Sequence, residues 1–409
     1  MSDEEIEQIA KFSGAKAVRR ISPLGLFVIE GEESAAGTQE LMDDLWQAGT
    51  VVDMAPNYLG GGLTAVFNPD DPQHVNGNQW HIDQPSDIDL DLPEAWGEIT
   101  RGSDEVVIAQ TDSGLKLSHP EFANRLFVNP GEIPGNGIDD DDNGYRDDVS
   151  GWNTISEPPN NDVNDTEIGH GTWVASLLMA NTDNAFQVAG VDHRAKILPL
   201  KMGDGTSTSA EELQALMAAL DYLVANPDFA SVVNMSVAGY FADPMLFNSI
   251  TAAAATHILI GGSPPTGLNS CTGLPNGHPD VITIGATDRN DALGIFTATG
   301  ACLDFVAPGV DITTASFVDS TNALAFHAGD GTSFATPLIT GIASLCLAIH
   351  PAMSKDEFYE ALKAAAVDLG APGRDNTFAW GRPTAYGTLD VIRTIFADGF
   401  ETGDTSQWN

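Results

Sequence analysis

Cysteine and positive charge are both scarce in this chain. Three cysteines in 409 residues cannot build a disulfide scaffold, which leaves room for one pair and one separate thiol. Only 17 Lys and Arg oppose 58 Asp and Glu, for a formal charge of −41. That field repels a phosphate backbone or an anionic bilayer, which sets nucleic acid and membrane aside as partners. The same surplus suits multivalent cations or a saline medium, and equally serves plain solubility. Uninterrupted apolar runs stay short of the roughly 18 residues of a membrane-spanning helix. The opening Met1-Ser2-Asp3-Glu4-Glu5 lacks the basic-then-apolar order of a secretory signal, leaving a cytoplasmic chain or one whose signal has been removed.

What is present is the composition of a compact globular protein, 42% hydrophobic with 41 Gly and 23 Pro, long enough for one large domain with extras or two to three small ones. Residues 1–57 alternate helix-like and strand-like stretches, a small α+β unit with little core of its own. Residues 58–80, with Gly60-Gly61-Gly62 and Asn68-Pro69-Asp70-Asp71-Pro72, read as an exposed linker. Over 81–395, short β-branched runs alternate with longer helical segments, the pattern of an α/β parallel sheet covered by helices. Strands are expected at 106–111, 197–202, 232–237, 258–262 and 281–286. Helices are expected at 209–226, opened by a capping box from Ser209, at 354–366, opened by Ser354 and Glu357, and within the small-residue stretch 331–348. Residues 396–409 form a short acidic tail.

Three passages put a reactive side chain where a strand ends or a helix begins. In Val107-Ile108-Ala109-Gln110-Thr111-Asp112-Ser113-Gly114 an apolar strand runs into Asp112 at the carboxyl edge of a parallel sheet, where open α/β proteins build their sites. A solvated Asp starting a turn reads the same way. In Ile168-Gly169-His170-Gly171-Thr172-Trp173 a His between two glycines opens an apolar helix, a place that also suits a structural His. In Gly331-Thr332-Ser333-Phe334-Ala335-Thr336-Pro337 Ser333 heads a helix, either as a cap or among free N–H groups at the positive dipole end. Together Asp112, His170 and Ser333 make an orienter, base and nucleophile in that chain order.

At these residues the sequence resembles the subtilisin-like serine protease family (peptidase S8), over about residues 80–395. The resemblance implies a subtilisin-like α/β fold, a monomer, secretion, polypeptide substrates and no organic cofactor. It also implies a mechanism in which Ser333 attacks a peptide carbonyl, His170 moves the proton and Asp112 holds the imidazole. Ser236, Val237, Ala238, Gly239 and Gly262 match the substrate-binding strand and pocket wall, where an extended peptide adds as a strand. Ala238 stands where the family more often has Gly. The main departure is at the oxyanion hole: aligned from Cys271, Pro265 occupies the place of the family's Asn. In subtilisin the loss of that donor costs about 10²–10³-fold in rate, so either Ser263, Thr266 or Asn269 substitutes, or turnover is slow. A catalytically weak relative that binds peptides is the second reading.

Cys271 and Cys302 look like a disulfide of the proteinase K-like branch, with two unrelated thiols as the alternative, and Cys346 reads as a buried helix residue. Between the first two motifs, Asp139, Asp141, Asn143, the Tyr145 carbonyl and Asp147 fall at positions 1, 3, 5, 7 and 9 of a calcium loop, with Gly144 at the turn. Ser150 stands at position 12 instead of the bidentate Glu, and a solvated acidic turn remains the other reading. Similar inserts occur in bacterial members of the family. Residues 1–57, ending in Val51-Val52-Asp53-Met54-Ala55-Pro56-Asn57-Tyr58, resemble the family's inhibitor-like prosegment, which implies a zymogen cut near 55–70 and inhibited by its own N-terminus. A permanent accessory domain is the alternative.

Overall fold

The computed structural model describes residues 65–397, except 166–167, 241 and 319–322, and before them the strands β1 (Ala17–Arg20) and β2 (Phe27–Glu30). The chain divides into two compact units, Met1–Thr64 and Ala65–Asn409. In the first, β1 and β2 pair antiparallel with Ala17 opposite Glu30. The remainder of the prosegment reading, residues 51–58 included, and the tail from 398 onward lie outside the described residues.

The second unit begins with α1 (Pro72–Val75), α2 (Leu92–Glu98), β3 (Val107–Asp112), β4 (Trp152–Asn153), α3 (His170–Met179), β5 (Lys196–Lys201), α4 (Ser209–Ala225), β6 (Val232–Met235), α5 (Pro244–Ala253) and β7 (Ile258–Gly262). It continues with β8 (Val281–Thr287), β9 (Phe305–Pro308), β10 (Ile312–Val318), β11 (Ala323–Gly329), α6 (Thr332–Ile349), α7 (Lys355–Ala365), β12 (Ala366–Val367), β13 (Arg382–Pro383) and α8 (Ala385–Ala397). Seven strands form one parallel sheet in the order β4-β5-β3-β6-β7-β8-β9. Its middle is in register across Ile197, Ile108, Val232 and Ile258.

Parallel strands are buried on both faces, so they read as continuous apolar runs. Side chains alternate: Ile108, Ile197, Val232 and Ile260 pack with α3 and α6, whereas Ala109, Leu198, Val233 and Leu259 pack with α4 and α5 on the opposite face. The helices on both faces and all five expected strands are present, within two residues at each end. The capping box of α4 is built from Thr208 and Glu211, one residue earlier than expected, because Thr208 has the extended backbone a cap needs while Ser209 is already helical. That of α7 is Ser354 with Glu357.

Two expectations are corrected. Residues 65–80 are not an exposed linker: from residue 65 the chain belongs to the second unit, and Asp71, Gln79 and Trp80 are buried, Gln79 donating to the Ala189 carbonyl (2.8 Å) and Trp80 to that of Asp311 (3.1 Å). And α6 is, by length and hydropathy, apolar enough to cross a membrane. It lies instead as the core helix, with all of Phe334 to Leu347 buried.

Candidate active site

Strand β3 delivers Asp112 to the carboxyl edge of the sheet, where it is 4% exposed. Its Oδ1 accepts the Ser113 N–H at 2.7 Å and meets His170 Nδ1 at 2.8 Å, while Oδ2 is buried without a partner. His170 begins α3 after Gly169, whose φ of +80° turns the chain into the helix. Gly171 is needed for close approach: a Cβ there would lie 2.0 Å from the Gly114 carbonyl oxygen.

A residue the sequence reading missed holds this corner together. Buried Asp165 accepts from the Ser113 hydroxyl (2.7 Å) and from the N–H groups of Gly169 (2.9 Å) and Ile168 (3.1 Å), and Ser113 Oγ in turn accepts the Gly171 N–H (2.9 Å). The His170 ring is 28% exposed. Burial pulls its pKa down, but the Asp112 charge and hydrogen bond outweigh it and hold the imidazole above its ordinary value.

Ser333 is the second residue of α6, where a backbone N–H has no partner within its own helix. It is clamped to the end of β6: its Oγ donates to the Ser236 carbonyl (3.2 Å), and Ser236 Oγ donates back to the Ser333 carbonyl (3.0 Å). Residues 236–238, Ser263, Pro265, Phe296 and residues 330–333 line one cleft of about 260 Å³. Of the expected substrate-binding residues, Ser236, Val237 and Ala238 therefore line it. Gly239, at φ +80°, does not line it; its N–H donates to Asn276 Oδ1 (3.1 Å). Gly262 ends β7 against Thr332 and Thr336.

The three candidate oxyanion donors are placed otherwise than expected. Ser263 reaches the cleft, but its hydroxyl donates to the Ala298 carbonyl (2.8 Å) and its N–H to that of Ile284 (2.8 Å). Pro264 and Pro265 have no N–H, and the Thr266 N–H is taken by Phe296 (2.7 Å). Thr266 and Asn269 do not line the cleft, and Asn269 Oδ1 caps the Cys271 N–H (2.9 Å). The run 263–266 thus pairs along 296–298 and offers the cleft no free donor. Thr332 Oγ1, also in the cleft, donates to the Ser263 carbonyl (2.9 Å).

The acidic loop also differs from the spacing. Carboxylate oxygens of Glu132, Asp139 and Asp141 converge within 4.8 Å of one another. Glu132 stands seven residues before the loop motif, beyond what the loop's own spacing could reveal. Asn143 Oδ1 instead accepts the Tyr145 N–H (2.7 Å), and Asp147 caps the N–H groups of Asn136 (3.1 Å) and Gly137 (2.8 Å). Elsewhere, burial pushes Asp71 up to about 6, and burial with the added charge of Asp71 pushes Glu121 up to about 8. Asp71 Oδ1 has no partner. Cys271 and Cys302 form a disulfide, and Cys346 is buried and free.

The sequence profile of the subtilase family matches residues 103–381. A thermophilic serine proteinase of Bacillus sp. (strain AK1) is 28% identical over 336 residues, 82% of this chain and 71% of that protein. A halolysin-like extracellular serine protease of Natrialba magadii is 26% identical over 331 residues, 81% of this chain and 53% of that one. Among solved structures, a protease of Pseudoalteromonas arctica superposes with a TM-score of 0.63 at 21% identity, over 80% of this chain and 99% of that one, which speaks for a common fold. With the family profile spanning well over half its length, the chain belongs to the subtilase family and is a subtilisin-like serine protease.

Proposed function

We propose that the chain is a secreted serine endopeptidase, made as a zymogen, in which Ser333 is the nucleophile, His170 the general base and then acid, and Asp112 the residue that orients and charges the imidazole. The observation that carries this reading is the 2.8 Å contact of Asp112 with His170 at the same sheet edge as Ser333. Attack requires the Ser333 hydroxyl to leave the Ser236 carbonyl for His170 Nε2, a turn about its Cα–Cβ bond; such contacts commonly tighten only once substrate is bound. The backbone N–H of Ser333, at the second position of α6, is the donor that remains for the oxyanion. Substrate polypeptides lie along 236–238, and the N-terminal unit acts as an intramolecular inhibitor of a monomeric enzyme.

Calcium fits this chain as a structural ion. Three hard carboxylate donors, Glu132, Asp139 and Asp141, converge on one point, and the unpartnered Asp71 Oδ1 beside the burial-strained Glu121 offers a second place that a cation would relieve. Bound there, calcium supplies charge compensation to the fold and takes no part in the chemistry.

Intact mass followed over time, for the chain and its Ser333→Ala variant with calcium present, tests the whole reading. Loss of an N-terminal piece of about 55–70 residues from the parent alone supports it. The second reading, a peptide-binding relative with attenuated catalysis, is favoured by the engagement of the Ser263 hydroxyl and N–H and of the Thr266 N–H with the Ile284, Phe296 and Ala298 carbonyls. It becomes the better one when both chains stay whole and a fluorophosphonate fails to label Ser333.

A further inference from the structure

The cleft carries one carboxylate that the proposed chemistry does not use. It starts at the end of β6, passes Ser263 and Pro265 after β7, and reaches Phe296 after β8 and Asp330 ahead of α6. Asp330 is exposed, and its Oδ1 accepts the Asp311 N–H at 2.8 Å, which ties it to the turn after β9. Since β9 is three strands from β6 in the sheet, the tie to Asp311 draws Asp330 toward the end of the cleft away from 236–238, the stretch that the peptidase reading assigns to the acyl half of an extended peptide. The residue that meets Asp330 is therefore on the leaving-group side. No Lys or Arg lines the cleft. The cation nearest in the network, Arg289, pairs instead with Asp311 at 2.9 Å, both side chains being about half exposed or more.

Resting on the peptidase reading above, we propose that Asp330 selects a cationic side chain, Lys or Arg, on the residue just past the scissile bond. The aliphatic stem of such a side chain lies along Phe296 and Pro265 while its charge reaches the carboxylate. The chain's net charge of −41 works in the same direction, drawing basic polypeptides to the surface. An acidic residue at that position meets like charge and is disfavoured.

Peptides identical except for Lys, Met or Glu after the scissile bond provide the test, against the parent chain, Asp330→Asn and Asp330→Lys. An exposed ion pair of this kind is worth about two- to fivefold, so kcat/KM should fall in the order Lys, Met, Glu, with Lys ahead of Met by that factor at low salt. The advantage should vanish in Asp330→Asn, turn toward Glu in Asp330→Lys, and shrink near 1 M salt, where screening acts within about 3 Å. Ratios taken within each variant cancel any general change in activity. A Lys-to-Met ratio that is the same in the parent and in Asp330→Asn overturns the proposal. Peptide Kd ratios on the Ser333→Ala chain report the same preference without turnover. A parent that cleaves nothing then removes the peptidase reading while the Kd ratio still decides the role of Asp330.

Discussion

Burial alone would make His170 a poor base, because an imidazole withdrawn from water gives up its proton too readily; the Asp112 carboxylate at 2.8 Å reverses the balance. The raised pKa has opposite consequences for activity and stability. A protonated ring cannot accept the Ser333 proton, so kcat/KM should climb along an acid limb centred above 6.5, the ordinary imidazole value. The stability that the pair contributes is complete below the unfolded imidazole value and is lost as pH rises through the folded one. In Asp112→Asn the burial effect is opposed only by the more minor charge effect of Asp165, so the limb should move to lower pH and the rate fall about 10⁴-fold. A pH–rate profile checks both, and a limb that stays in place would show that Asp112 is not what charges His170.

Packing between elements decides the fate of small residues in α6. Gly341 lies mid-helix, where Ala would ordinarily gain about 1 kcal/mol in helix propensity, yet a Cβ there would sit 2.6 Å from the Val191 Cβ. Overpacking of a filled core costs about 1–3 kcal/mol, so Gly341→Ala should lower the denaturant midpoint. A higher midpoint would mean that the Val191 segment yields freely. The acidic loop is likewise held by contacts between distant positions, Glu132 meeting Asp139 and Asp141. Removing calcium with a chelator should lower the thermal midpoint, and Asp139→Asn with Asp141→Asn should abolish the part of that shift that belongs to the Glu132 cluster, leaving any share carried by Asp71 and Glu121. A thermal midpoint indifferent to calcium in the parent would remove the ion from the account.

The whole molecule folds against its own charge. With a formal −41, self-repulsion opposes the compact state, and screening shortens from about 30 Å at 0.01 M salt to about 3 Å at 1 M. The thermal midpoint should therefore rise with sodium chloride over that range, measured with calcium held constant. The 271–302 disulfide acts on the other side of the equilibrium: in the chain-entropy picture, closing a 31-residue span stabilises by roughly 3–4 kcal/mol. Cys271→Ser with Cys302→Ser should lose an amount of that order in a denaturant titration, and a loss below about 1 kcal/mol would indicate an unfolded state already compact in this region.

Buried parallel strands need unbroken β-branched runs, so the sequence determined by itself where the strands of the sheet centre lie, that helices cover both faces, and that Asp112, His170 and Ser333 each end a strand or begin a helix. The short β4 and β9, with two and four residues, and the β10–β11 hairpin carry too little periodic signal to be read that way. Which polar groups remain available was decided only by the tertiary structure. Ser263 looks like a free hydroxyl until the chain brings Ala298, 35 residues on, to within 2.8 Å of it. Asp165 looks like one acid among many until Ser113 and Gly169 close on it. A hydrogen bond or a cluster of carboxylates belongs to pairs of residues, and the linear order names each partner without saying which ones meet.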